Sequence, residues 1–160
     1  MVESPSSSGI ITAELVPVLV GTAGLVDGEC FLLDKGIDVI IGRSRSCDIS
    51  LRRTTAYLKT PALARDGDHD FNTVSRRHLR IQVTGTVAAI NDLSTNGTFF
   101  NGEPMREPQR VDLSLGSCNL RLGTRECFQL ALLPKDDPRV RDLQPVSSMA
   151  KEAETDPREL

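Results

Sequence analysis

Turn signals recur so often between Leu15 and Leu133 that no long helix fits between them. Asp27-Gly28, Lys35-Gly36, Asn96-Gly97, Asn101-Gly102, Gly116 and Gly123 punctuate that stretch. Glycine and asparagine tolerate the positive φ that tight turns demand. Between the turns, apolar residues keep a period of two. Leu79, Ile81 and Val83 alternate with Arg80 and Gln82, as do Leu120 with Leu122, and Phe128 with Leu130 and Leu132. Val39-Ile40-Ile41 and Val87-Ala88-Ala89-Ile90 are short apolar runs of strand length. Many short strands separated by turns predict an all-β sandwich.

The segment Asn91 to Gly102, N-D-L-S-T-N-G-T-F-F-N-G, contains Asn-Gly twice. One hairpin needs only one such turn. Only Thr98-Phe99-Phe100 lies between the two, so one of them must serve another purpose.

Composition narrows the class. Hydrophobic residues make up 39% of 160 residues, enough for one packed core. No apolar run approaches the roughly 18–20 residues needed to cross a bilayer. The start, Met1-Val2-Glu3-Ser4-Pro5, lacks a signal peptide's cationic and apolar regions. The expectation is a soluble, cytoplasmic protein without a membrane partner. Cys30, Cys47, Cys118 and Cys127 form no C-x-x-C pair, and only two histidines are present, which predicts reduced thiols and no metal site. The net charge is −3, but acids and bases nearly cancel between Leu15 and Leu133. A nucleic-acid binder would usually be more basic. Arginines cluster locally instead, at Arg43, Arg45, Arg52 and Arg53, then at Arg76, Arg77 and Arg80. Clustered arginine in a neutral domain points to a small anionic ligand.

Residues 1–13 are read as a disordered N-terminal segment, 14–133 as the domain, and 134–160 as a disordered tail with a short helical turn near Met149 to Glu154. Within the domain, the long polar stretch of about 54–72 is expected to be a loop, with or without a helical turn.

Three polar clusters follow or precede strand runs: Gly42-Arg43-Ser44-Arg45-Ser46, Ser75-Arg76-Arg77-His78, and Ser94-Thr95-Asn96-Gly97-Thr98. Brought to one edge, they would offer the convergent donors that a phosphate dianion needs. In this order, with Arg45-Ser46-Cys47-Asp48-Ile49, Asn101-Gly102 and Leu120-Arg121-Leu122-Gly123, the sequence resembles the forkhead-associated (FHA) domain family over roughly Leu15 to Leu133. The resemblance implies an 11-stranded β-sandwich of two antiparallel sheets that reads phosphothreonine peptides with loops at one end, and no enzyme activity or cofactor. It implies that Arg43 and Ser75 bind phosphate oxygens with support from Thr95. Asn96 would hold the peptide main chain, and Arg76 would contact peptide or phosphate. Gly42, His78, Gly97 and Asn101 would support the binding loops, with His78 bracing them rather than touching ligand. Asn101-Gly102 is then the plain hairpin turn, and Asn96-Gly97 ends a recognition loop. The implied partner is a phosphothreonine-containing protein linked to a Ser/Thr kinase; the alternative is a scaffold of the same fold that docks partners without phosphate.

Two departures from the family pattern bear on peptide preference. The loop between Asp48 and Ser75 is long, and Gly116 to Gly123 is one residue longer than the usual G-D-x-I-x-L-G and lacks its Asp. Other patterns are weaker. Ser75, His78 and Asp92 could suggest a hydrolytic triad, but no G-x-S-x-G accompanies them. Asp66-Gly67-Asp68-His69-Asp70 starts like a calcium loop, yet Phe71 and Arg77 stand where Gly and Glu are required. Arg52-Arg53-Thr54-Thr55 reads as an exposed basic turn or a kinase site.

Overall fold

The computed structural model describes residues 14–33 and 37–146. Eleven strands follow one another in the described chain: β1 (Leu15–Ala23), β2 (Cys30–Leu32), β3 (Asp38–Gly42), β4 (Ile49–Ser50), β5 (Leu79–Thr84), β6 (Val87–Asp92), β7 (Thr98–Phe100), β8 (Glu103–Pro104), β9 (Gln109–Asp112), β10 (Cys118–Leu122) and β11 (Glu126–Pro134). One sheet has five strands in the order β9-β6-β5-β3-β4, and the other has six in the order β2-β1-β11-β10-β7-β8. The sandwich expected from the alternation is present. One detail differs: β3 and β4 pair in parallel, so the five-stranded sheet is mixed.

The alternation decides which side chains face inward. Leu79, Ile81 and Val83 on β5 are buried, as are Ala88 and Ile90 on β6. Leu120 and Leu122 from β10 and Phe128 and Leu130 from β11 close the core from the other sheet. A one-residue slip in either register would turn these side chains to solvent, which fixes the pairing. Each sequential pair also fixes the loop it carries. Phe100 faces Glu103 across the two-residue Asn101-Gly102 turn. Asn101 has φ of 50° and Gly102 of 86°, the two positive values of a type I′ hairpin. Leu122 faces Glu126 across Gly123–Arg125, and Ile41, Leu79 and Asp92 lie side by side across β3, β5 and β6.

The 54–72 stretch forms three helices of about one turn each: α1 (Thr55–Lys59), α2 (Ala62–Asp66) and α3 (His69–Asn72). The Thr54 side chain caps α1 at the Tyr57 amide, and the Asp68 side chain caps α3 at the Phe71 amide. Helices this short are not stable alone. Their anchors are Tyr57 and Phe71, both buried and stacked with ring centres 5.2 Å apart. Arg125 adds a clasp, with two nitrogens on the two Asp68 oxygens at 3.1 and 2.8 Å.

The packed unit does not end at 133, as the charged sequence beyond it predicts. Lys135 N–H donates to the Glu14 carbonyl, Val140 is 1% exposed, and Val146 N–H donates to the Leu32 carbonyl. Pro145 bridges Leu32 in parallel at the β2 edge. A single apolar anchor carries no period, so the sequence conceals this strap. The readings made for residues 1–13 and for Met149 to Glu154 fall outside the described residues. Among the described residues, no helix is long and apolar enough to cross a membrane.

Candidate functional site

Arg43 follows the last residue of β3, and Ser75 to His78 lead into β5. The two segments run together because Gly42 has no side chain. A Cβ there would meet the Arg76 carbonyl oxygen at 2.2 Å. With that gap closed, Arg43 N–H donates to the Ser75 carbonyl and Ser44 N–H to the Arg76 carbonyl, both at 3.0 Å. The Arg43 side chain is half-buried and donates Nε to the Val74 carbonyl. Its two terminal nitrogens have no protein partner among the described residues. Its pKa is pushed down by burial, then by the charges of Arg52 and Arg76.

The third cluster joins through Ser75 and His78. Thr95 N–H donates to Ser75 Oγ at 3.0 Å, which leaves the Ser75 hydroxyl proton available to a ligand. His78 is 0% exposed and receives the Ser75 N–H on Nδ1 at 2.9 Å. Its Nε2 therefore carries the proton and donates to the Gly97 carbonyl at 3.0 Å. Burial lowers the His78 pKa, against the opposing pull of the Gly97 bond and of Asp92. The ring stays neutral and ties two loops together.

Asp92 shapes the recognition loop. Its Oδ1 accepts from Ser94 N–H, Ser94 Oγ and Thr98 Oγ1. Gly97 then turns at φ of 102°, where a side chain would be strained. Thr95 and Asn96 are thereby held at the exposed rim. Asn96 Nδ2 donates to the Thr73 carbonyl at 3.1 Å, so the end of the helical insert sets its orientation. Its Oδ1 has no described partner. Arg76 is exposed beside them.

The structure thus brings Arg43, Ser75, Arg76, Thr95 and Asn96 to one rim, with Gly42, His78 and Gly97 beneath. Asn101 does not join them. It sits at the opposite end of β7, where its Oδ1 accepts the Asn119 amide and its own amide donates to the Asn119 carbonyl. Its support of the loops is indirect, because a hairpin turn must lie at the end of β7 away from the loop that precedes it. The cavity of about 290 Å³ lined by Thr22, Phe99, Arg121 and Cys127 includes none of the rim residues.

Several residues enter the site from outside the motifs. Thr73 orients Asn96, Phe71 carries the Arg43 guanidinium at 5.8 Å from its ring centre, and Arg52 Nε donates to the Arg43 carbonyl at 3.0 Å. Arg52 was visible only as one member of an arginine cluster. Phe71 was visible only as an aromatic in a polar stretch, on a chain with five phenylalanines and one tyrosine.

The weaker patterns have structural explanations. His78 contacts the Ser75 amide, and Asp92 bonds Ser94 and Thr98, so the three side chains form no relay. Asp68 and Asp70 are occupied by Arg125, Phe71 and Thr124, and no group of possible metal ligands occurs among the described residues. Arg53 is a strut, donating to the Arg45, Cys47 and Asp48 carbonyls, and Thr54 is buried. All four cysteines are free. Cys47 and Cys118 are buried with thiols pushed up to about 11 by desolvation, whereas Cys30 and Cys127 are partly exposed.

Comparison with known proteins agrees with this architecture. The FHA domain family matches residues 39–123. An FHA domain studied for phosphothreonine-dependent interactions is 29% identical, with a TM-score of 0.52 over 74% of this chain and 98% of its own. An FHA domain from an Arabidopsis thaliana hypothetical protein is 21% identical, with a TM-score of 0.56 over 84% of this chain and 98% of its own. The N-terminal FHA domain of S. cerevisiae Rad53p, solved with a phosphothreonine peptide, is 16% identical, with a TM-score of 0.51 over 74% of this chain and 94% of its own. A comparison with curated protein sequences gives no match. The fold and the loop cluster define a β-sandwich with a polar rim of loops, and the family match makes this domain an interaction module rather than an enzyme. The chain belongs to the FHA domain family.

Proposed function

We propose that this domain binds phosphothreonine peptides and acts as an adaptor for partners marked by a Ser/Thr kinase. The observation that carries this reading is the state of the Arg43 guanidinium. Its Nε is fixed on the Val74 carbonyl while both terminal nitrogens point to no described protein acceptor. A planar fork held this way is preorganised for two phosphate oxygens. Ser75 Oγ–H and the Thr95 hydroxyl supply further donors at the same rim, and the Asn96 amide offers both a donor and an acceptor to a peptide main chain. A phosphate carries about −1.5 to −2 charge at neutral pH, enough to relieve the repulsion on Arg43. The 29% identical relative studied for phosphothreonine-dependent interactions supports the same ligand class.

The test is calorimetric titration of the full chain with a degenerate phosphothreonine peptide pool, before and after phosphatase treatment. Binding is expected only before treatment. Binding that survives phosphatase would instead establish a phosphate-independent scaffold.

A further inference from the structure

The rim holds more positive charge than one phosphate requires. Arg52 is the middle residue of the short turn Leu51–Arg53 and is half-buried. Its Nε is fixed on the Arg43 carbonyl and its Nη1 donates to the Tyr57 hydroxyl at 3.1 Å. Its guanidinium carbon lies 5.5 Å from the Phe71 ring centre, against 5.8 Å for that of Arg43. Two cations therefore share one aromatic ring, itself stacked on Tyr57. Arg76 is close enough to both lower the Arg43 pKa and add a third charge.

None of the three has a carboxylate partner among the described residues. Other arginines do meet carboxylates, Arg80 at Asp38, Arg125 at Asp68 and Glu126, and Arg139 at Asp137, but none of these pairs lies at the rim. On the insert, Asp68 and Asp70 are turned toward Arg125 and Thr124. Like charges held together repel, and an aromatic face offsets only part of that. A phosphate of at most two charges leaves one guanidinium unmatched.

Resting on the phosphothreonine reading above, we propose that Arg52 is a specificity-determining residue and that the domain selects phosphothreonine peptides bearing a second anionic group next to the phosphothreonine. The second anion is either a carboxylate or another phosphate. Arg52 meets it while Arg43 holds the first phosphate, and Phe71 keeps the two guanidiniums at fixed spacing.

The experiment uses the full chain and three sets of phosphothreonine peptides. One set has alanine on both sides of the phosphothreonine, one has glutamate at each flanking position in turn, and one has phosphoserine at those positions. At least one acidic peptide is expected to bind roughly fivefold or more tightly than the alanine peptide, and phosphoserine more tightly than glutamate at that position. Arg52→Gln should weaken the favoured acidic peptide by a factor at least about three times larger than it weakens the alanine peptide. Equal affinities across the three sets, or equal loss for all peptides in Arg52→Gln, would overturn the proposal. Should Arg52→Gln fail to fold, the unmodified chain decides. The acidic advantage must shrink as salt rises from about 50 to 300 mM, and an advantage insensitive to salt would equally overturn it. Absence of binding to every phosphothreonine peptide would overturn the proposed function itself.

Discussion

The Ser75 amide donates to His78 Nδ1 at 2.9 Å, across a tight turn in which the imidazole is 0% exposed. That bond fixes the tautomer, and the other nitrogen then reaches the Gly97 carbonyl. One ring thus couples the residues that would touch phosphate to those that would touch the peptide main chain. Removing it in His78→Ala leaves a part-buried amide and a part-buried carbonyl without this partner and opens a cavity. A loss of about 2–4 kcal/mol of stability is expected. Phosphopeptide affinity should also fall, because both loops lose their tie. Denaturant unfolding and calorimetry read the two effects; a variant with native stability would show that the ring is dispensable.

The same ring sets a pH dependence. Burial lowers its folded pKa below the ordinary 6.5. The unfolded chain then binds the proton more readily. Its stabilising contribution is full above about pH 6.5 and is lost as pH falls through the folded value. Unfolding midpoints measured from pH 7.5 down to about 5 should therefore decline, and the decline should be smaller in His78→Gln. Equal slopes for the two proteins would assign the acid sensitivity to other groups.

Arg43 contributes little to the fold beyond its Val74 and Phe71 contacts, so Arg43→Ala should abolish phosphopeptide binding at a cost of about 2–5 kcal/mol of affinity while the domain still unfolds cooperatively. Arg43→Lys tests the geometry. A single ammonium cannot bond the Val74 carbonyl and also present a fork to phosphate, so it too should bind weakly. Calorimetry on both variants decides this. Near-native affinity for Arg43→Ala would remove the residue from the site.

The sequence displays this site unevenly, for physical reasons. Strands such as β5 are legible because Leu79, Ile81 and Val83 alternate on one face, and the two Asn-Gly turns are legible because their backbone conformations demand those residues. Arg43, Ser75 and Asn96 are legible because they stand in short motifs beside strand ends. The place of Arg52, Phe71 and Thr73 is not. Their contacts with Arg43 and Asn96 span 9 to 28 residues of separation. No local period encodes such a contact. Asn101 illustrates the opposite error, since a motif carries it near the site in sequence while the length of β7 carries it away in space.

The insert should depend on Asp68 for its hold on the domain. Its carboxylate caps α3 and receives two bonds from Arg125. Burial pushes its pKa up, but the Arg125 hydrogen bonds, the cap and the Arg125 charge outweigh that and hold it below the usual value. Its contribution is therefore present above about pH 3.8 and is lost below it. At neutral pH, Asp68→Ala should cost about 1–3 kcal/mol, of which the cap alone accounts for about 1. Hydrogen exchange should accelerate across 55–72 before the strands are affected. Unchanged protection there would mean that Tyr57 and Phe71 alone secure the insert.

The strap beyond β11 gives a further prediction, since it contradicts a boundary drawn from composition. Residues 135–146 return along the β2 edge and bury Val140, with the Val146 amide on the Leu32 carbonyl. Burying one valine side chain fully is worth about 1.5–3 kcal/mol relative to leaving it exposed. A bond to an otherwise open strand edge adds about 1 kcal/mol. A chain ending at Pro134 should therefore melt roughly 5–10 °C below one ending at Val146. Val140→Asp in the full chain should reproduce most of that loss, because a carboxylate cannot remain in the valine's buried position without a partner. The strap leaves from the end of β11 opposite Glu126, away from the Arg43 rim, so the loss should appear in stability before it appears in phosphopeptide affinity. Coincident melting curves for the two chain lengths would show that the domain ends where its charged sequence begins.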